Sequence, residues 1–406
     1  MTGSPPLRTS LGEAVRALWS REDAGSWPRF VVAEGASARI ASGSVTGFTA
    51  PLTTPIGPAL RAAAGLGPLV VGAARFAPLD PGEAPDAGFA PFGGACFFAP
   101  RDHLQVSLLP PPGLRVRPAS LRPEAVARYR SALTTALGAI AGNVLTKVVL
   151  ARSFLLTDVA GAPLDLRAAV PELLDALHAA AGATARVFLL APTPDAIWLG
   201  ATPERLARVE PGFAETEAVA GTCRLPGQEA GADAAVAALT RSDKDLREHA
   251  AVVDHLRAAL GRLGADLSPP GAAPTVRRLP GLAHLVTPLT ARLAEGTTPT
   301  EVVAALHPSP AVNGTPFEAA RDLIAAAEGF DRGVYAGPIG FFEGGRASFD
   351  VGLRGALLTA GGVRVFAGAG VVAGSTVSGE LAETAAKAVA TARALGFDVA
   401  LDEDAP

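Results

Sequence analysis

Short apolar runs bounded by glycine and proline recur along this chain, yet they do not alternate with helical segments in any regular order. In the first third, Phe30-Val31-Val32-Ala33, Leu69-Val70-Val71-Gly72 and Cys96-Phe97-Phe98 read as strands, and the Pro, Gly and Asp-rich stretch from Ala77 to Gly93 reads as loop. Ser120 then opens a predicted helix with Pro123 in its first turn, followed by Val126, Tyr129, Leu133, Leu137 and Ile140 at helical spacing. A strand from Thr146 to Ala151, a helix from Leu166 to Ala181, and a strand pair at Arg186 to Ala191 and Ile197 to Ala201, joined through Pro192 and Pro194, come next. Ser242 and Asp245 form a capping-box pattern at the head of a long helix whose apolar face carries Val252, Leu256, Leu260 and Leu263. The last third reads as a helix from Pro316, strands near Ile339, at Phe349 to Leu353 and at Val363 to Ala367, and a final helix from about Gly379 to Leu395. Clusters of strands interrupted by long helices, with no fixed repeat, predict an α+β fold built on antiparallel sheets.

Composition narrows the function. Of 406 residues 49% are hydrophobic, enough for a sizeable core, and the net charge of −4 comes without any basic block. That balance leaves no electrostatic footprint for nucleic acid or an anionic membrane. Cys96 and Cys223 are too few for a disulfide framework or a CxxC metal site. Met1 to Ser10 lacks the basic and apolar regions of a signal peptide, and no segment approaches the ~18 uncharged residues of a membrane span. A cytoplasmic protein is expected.

Four local features could carry chemistry. Glu380, Glu383 and Lys387 lie at i, i+3 and i+7 of the final helix and share one face. Such spacing is often a solvated charged face, but this helix follows the small and apolar run Phe366 to Val372, which is built for burial. Asp245 and Glu248 form a second acidic i, i+3 pair; Asp245 could equally be a helix cap, and His249 could equally be packed. Together, acids of this type offer hard oxygen ligands for magnesium, though spacing alone cannot bring the two helices together. Lys147 sits within the apolar run Thr146 to Ala151, either snorkelling from a strand edge or buried, and a desolvated lysine loses affinity for its proton. Glu204, in Gly200-Ala201-Thr202-Pro203-Glu204, reads alone as a surface turn acid.

Taken in order, these segments resemble the motifs of the chorismate-utilising enzymes. The similar blocks are Lys147 to Arg152, Gly200 to Leu206, Ala220-Gly221-Thr222, Lys244 to His249, His284 to Pro288, Leu306 to Gly314 and Phe366 to Lys387, and they span about residues 120–396. The family fold that this implies is two large antiparallel sheets packed together with helices outside. Residues 1–119 would be a divergent part of the same fold, 120–396 the chorismate-binding catalytic region and 397–406 a tail.

Within the family, the ammonia-adding relatives carry glutamine where this chain has Lys147, and one branch uses a lysine where this chain has Ala220. The resemblance is therefore to the water-adding branch. His284-Leu285-Val286-Thr287-Pro288 and Ala311 look more like its isochorismate synthases than its salicylate synthases, whereas Tyr335 and Leu353 depart from the usual isochorismate synthase pocket. The resemblance implies Lys147 as the base that activates water for attack at ring carbon 2, and Glu204 as the acid at the departing carbon-4 hydroxyl. It implies Glu248 and Glu383 as Mg²⁺ ligands, with Glu380 and Asp245 as closely associated or water-mediated partners. Arg354, beside the Gly368 backbone, would take the enolpyruvyl carboxylate, and Lys387 would offset the ring carboxylate. Thr222, His284 and Ala311 would line the pocket, and His307 would be structural. The resemblance also implies a monomer with no glutaminase subunit, whose product feeds siderophore, menaquinone or secondary-metabolite synthesis. The alternatives are a salicylate synthase and an inactive chorismate-binding protein.

Overall fold

The Lys147–Asp158 strand lies inside a large sheet, and the chain around it explains the rest of the architecture. In the computed structural model the described residues are 7–19, 27–43, 46–79, 83–111, 113–158, 165–226, 229–269, 273–279 and 281–401. The expectations for the chain start, Met1 to Ser10, and for the chain end, 397–406, therefore each fall partly outside them. Among the described residues, two sheets of 12 and 10 strands form. The larger has at its centre Pro28–Glu34, Arg186–Thr193, Ala196–Thr202, Gly355–Thr359, Gly362–Val372 and Lys147–Asp158, in that spatial order. The smaller runs from Leu282–Arg292 through Phe213–Arg224, Arg205–Glu210, Arg346–Val351 and Pro338–Glu343 to Leu69–Ala74 and its neighbours.

Pairing is antiparallel except at the ends of the larger sheet, where Leu7–Thr9 runs parallel to Asp102–Leu108 and Phe397–Leu401 runs parallel to Arg117–Pro123. The expected antiparallel α+β frame is thus present with two parallel edge pairs. One apolar core gathers side chains of both sheets, including Trp198, Phe188 and Phe366 from the larger and Phe97, Val209 and Phe349 from the smaller. A second core packs the other face of the larger sheet against helices Leu11–Trp19, Leu166–Ala181 and Val377–Ala394.

Residues 1–119 are not a separate unit where they are described. Pro28–Glu34 pairs with Arg186–Thr193, and Leu69–Ala74 pairs with Pro338–Glu343, so strands of this segment enter both sheets. Two readings need correction. Ser120 and Pro123 belong to a strand, Arg117–Pro123, whose Ala119 and Leu121 are buried and which hydrogen-bonds to Lys147–Asp158; the helix starts later, at Val126. Residues 397–401, expected as tail, form an edge strand.

Two chain crossings create the cleft. Ala196–Thr202 belongs to the larger sheet and Arg205–Glu210 to the smaller, so Pro203-Glu204 is the corner between them. Arg346–Val351 and Gly355–Thr359 cross back through Gly352-Leu353-Arg354. The corners lie side by side, with the Val351 amide donating to the Glu204 carbonyl at 3.0 Å and the Ala201 amide to the Arg354 carbonyl at 3.2 Å. Strands that change sheet leave the backbone turning at the mouth between two layers, where side chains can face a cleft.

Candidate active site

The cleft at these corners encloses about 710 Å³, counting space open to solvent. Of the sequence-predicted residues, Glu204, Thr222, Glu248, His284, Ala311, Arg354, Gly368 and Lys387 line it, as do Tyr335 and Leu353. Its floor is aromatic: Tyr335 stacks on Phe366 with ring centroids 5.4 Å apart, and Phe366 in turn meets Trp198. An apolar body with a few convergent polar groups is the usual make-up of a small-molecule site.

Alternation along the Lys147–Asp158 strand sends Lys147 and Val149 to the face opposite Val148 and Leu150. Lys147 is fully buried, which settles the choice between edge and interior, and its Nζ meets Glu248 Oε1 at 2.9 Å. Burial works to raise the Glu248 carboxyl, but the charge and hydrogen bond of Lys147, together with the positive Lys387 and Lys244, outweigh it and hold Glu248 below the usual carboxylate range. The expectation of a buried lysine holds, and the sequence alone did not reveal this acidic partner. The neighbouring strand makes room for this pair at Gly370. A Cβ there would stand 2.5 Å from Glu248 Oε1 and 3.2 Å from Lys147 Cε. Gly370→Ala is therefore expected to lower stability by about 1–3 kcal/mol, as overpacking of a closed interior does. Denaturant unfolding measures it, and an unchanged midpoint would show that the pair has slack.

Glu204 is buried, not a surface turn acid. Burial raises its carboxyl and the negative Glu217 raises it further; Lys147, Lys387 and Arg277 act the other way, and the balance leaves it at about 8. Such a group is an acid that keeps its proton at neutral pH. Thr222 and His284 come together through a bulge: the register of Phe213–Arg224 on Leu282–Arg292 shifts between Ala220 and Thr222, leaving Gly221 as the extra residue at φ +77°. Arg354 Nη2 stands 3.1 Å from His284 Nε2, and Thr222 Oγ1 is 3.0 Å from Nδ1. A guanidinium only donates, so Nε2 must accept and Nδ1–H faces the threonine. Burial, with the positive Arg354 and Lys387 nearby, holds His284 well below its ordinary value, so it is neutral.

Arg354 itself adopts φ +51°, a left-handed conformation that costs a non-glycine residue on the order of 1 kcal/mol or more. This places the guanidinium on His284. Gly368 and Arg354 both line the cleft, and the Gly368 carbonyl accepts from Lys387 Nζ at 2.9 Å. His249 and His307 are both buried bracing groups. His249 spans the Ala220 carbonyl and the Thr287 hydroxyl, and His307 Nε2 donates to the Phe76 carbonyl.

The acids of the two helices do not all face the cleft. Glu383 binds Lys387 at 2.6 Å, and Glu380 binds Lys244 at 3.2 Å. Asp245 lies at the third helical position, its amide donating to the Ser242 cap. Among the described residues, no three His, Cys, Asp or Glu side chains form a ready-made metal cage, because lysines meet Glu248, Glu383 and Glu380 one by one. The donors nevertheless suit a hard cation. All are carboxylates, Glu380 Oε2 is buried without a hydrogen-bond partner, and Glu383 pushes the Glu380 carboxyl up beyond what burial does. Repulsion between two neighbouring carboxylates is what a divalent ion relieves.

This fold and this cleft are those of a chorismate-binding enzyme. The chorismate binding enzyme family matches residues 114–396, and the chain belongs to it. Among known relatives, the salicylate biosynthesis isochorismate synthase of Pseudomonas aeruginosa is 45% identical over 211 residues, 52% of this chain and 44% of that protein. Isochorismate synthase DhbC of Bacillus subtilis is 35% identical over 277 residues, 66% of this chain and 68% of that protein. This chain thus spans less than half the length of the first and about two thirds of the second. The solved structure of MenF, the menaquinone-specific isochorismate synthase of Escherichia coli, matches with a TM-score of 0.73 at 26% identity, covering 94% of this chain and 91% of that one.

Proposed function

We propose that this chain converts chorismate to isochorismate in a Mg²⁺-dependent isomerisation. The observation that carries the reading is Glu204, held protonated near neutral pH in the same cleft as Arg354, Lys387 and Glu248, with Lys147 buried directly behind Glu248. In the proposed step, a new bond forms between water and ring carbon 2, the two ring double bonds shift, and the carbon-4 hydroxyl leaves. Lys147 takes the proton of the attacking water, and Glu204 gives one to the departing hydroxyl, which leaves as water. Lys147, paired with Glu248, would act as the free amine, its ammonium proton having passed to bulk solvent beforehand. Arg354, oriented by neutral His284, would fork onto one substrate carboxylate, and Lys387 would offset the other. Glu248 and Glu383, with Glu380 close by, would hold Mg²⁺, which when bound neutralises the ring carboxylate.

No helix among the described residues is long and apolar enough to cross a membrane. The reading extends to a cytoplasmic, monomeric enzyme that works without a glutaminase subunit and serves siderophore, menaquinone or secondary-metabolite synthesis. The isochorismate synthase names of its relatives support the activity itself. The test is to incubate the purified protein with chorismate and Mg²⁺, with and without EDTA, and to separate the products. Isochorismate alone, lost with EDTA and restored by Mg²⁺, is expected. Salicylate with pyruvate would make it a salicylate synthase, unconsumed chorismate an inactive binding protein, and full turnover after exhaustive chelation would remove the metal assignment.

A further inference from the structure

The backbone on both sides of Glu204 is held by one ion pair that no sequence motif marks. Glu217 lies on Phe213–Arg224 and Arg277 on the edge strand Thr275–Leu279, with side chains 13% and 24% exposed. Arg277 Nη1 and Nη2 donate to the two Glu217 oxygens at 2.9 and 2.7 Å, a bidentate fork. Nη1 also donates to the carbonyl of Pro203, the residue before Glu204. Glu217 Oε1 accepts the amide of Arg205, the residue after it, at 3.0 Å. The edge strand also sets Arg277 opposite His284, so the same residue couples the Glu204 corner to the Arg354–His284 wall.

We propose that the Glu217–Arg277 ion pair is a clamp that fixes the Glu204 corner, making both residues positioning residues for the acid. The proposal rests on the reading of Glu204 as the proton donor. The Glu204 backbone is tied by the Val351 amide at its carbonyl and by Thr202 Oγ1 at its amide, which leaves the flanking Pro203 carbonyl and Arg205 amide to the ion pair, and a displacement of about 1 Å at a reacting group can cost on the order of 10²-fold in rate. Glu217 also acts through charge. The charged and titratable groups around Glu204 are Glu217, Lys147, Lys387 and Arg277, with Arg354 and Tyr335 also within electrostatic reach. Glu217 is the negative member and favours the protonated acid; its own ionised form is kept by Arg277, with Arg186 3.9 Å away.

The experiment compares Glu217→Gln, Arg277→Lys and Glu204→Gln as purified full-length proteins, with chorismate and saturating Mg²⁺, for kcat, KM and the pH profile. Glutamine keeps an acceptor for the Arg205 amide but loses the charge, and a single ammonium cannot reach both Glu217 oxygens and the Pro203 carbonyl. Both variants are expected to lose about 10- to 100-fold in kcat with KM changed less than about threefold. The high-pH limb of Glu217→Gln should move to lower pH, a displacement that a merely structural role would not produce. If Glu217→Gln does not fold by circular dichroism, the Arg277→Lys kcat decides. An inactive Glu204→Gln beside clamp variants with wild-type kcat and pH limb overturns the clamp while sparing the acid. An active Glu204→Gln overturns both.

Discussion

Glu204→Gln is expected to lose on the order of 10²- to 10⁴-fold in turnover, the usual contribution of a general acid, while becoming more stable than the parent at pH 8. Both effects come from the same burial. The Glu204 carboxyl sits at about 8 instead of its ordinary 4.5, because burial and Glu217 disfavour its charge. Between those two values the folded chain keeps a proton that the unfolded chain has released. Stability linked to this group is therefore fully present below 4.5, declines as pH rises, and is exhausted once pH passes about 8. Glutamine has no proton to lose. The gain should be small at pH 5, grow to a few kcal/mol (order of magnitude only) by pH 8, and level off above it. Thermal or urea unfolding of both proteins across this range measures it, beside assays of isochorismate formation. A variant that melts below the parent at pH 8 would mean that Glu204 is ionised in the folded state, and the acid role would go with it. In the parent, activity should fall as pH rises through about 8, since a general acid must keep its proton.

Local periodicity explains which parts of this site were legible in the sequence. The i, i+3, i+7 spacing places Glu380, Glu383 and Lys387 on one helix, and Val377–Ala394 carries them as read. Their partners come from elsewhere: Glu380 turns to Lys244 of another helix, and Lys387 turns to the Gly368 carbonyl of a strand. Spacing along one element carries no information about such contacts. The strands of the first third were legible for the same reason, as apolar runs between breakers, but their pairing was not. Each of Pro28–Glu34 and Leu69–Ala74 has one neighbour close in sequence and one, Arg186–Thr193 or Pro338–Glu343, more than a hundred residues away, and the distant one is chosen by the packing of whole faces.

Ser120 shows how a local rule fails. A serine three residues before a proline fits a helix start, yet alternate burial at Ala119 and Leu121 was the stronger signal, and pairing on both flanks of Arg117–Pro123 decides for strand. Glu204 could be misread because burial at a corner is created by two sheets, not by the turn. Glu217 and Arg277 lie 60 residues apart, and neither stands in a motif block; only the register of three neighbouring strands brings them together. Gly370 had a visible signal, a glycine inside an apolar strand, which marks close approach of another group. Its meaning, room for Lys147 and Glu248, needed the structure.

Lys147→Gln is expected to abolish isochorismate formation and to cost about 3–5 kcal/mol of stability, because it leaves Glu248 buried without its opposite charge. Stability loss alone could account for a dead enzyme, so the decisive comparison adds Glu248→Gln and the double variant. The lysine and glutamate meet at 2.9 Å with side-chain exposures of 2% and 13%, well inside the range where a pair couples. Removing both charges removes the unpaired one, so Lys147→Gln with Glu248→Gln should regain much of the stability lost by Lys147→Gln alone. Activity should not return with it, since the amine that takes the proton from water is still missing. The measurements are urea unfolding of all four proteins, binding of chorismate, and product analysis at temperatures where each is folded. A double variant no more stable than Lys147→Gln would mean that the pair contributes little coupling. A folded Lys147→Gln that makes isochorismate within a few-fold of the parent rate would show that another group activates the water, and the main chemical argument for water addition would fall.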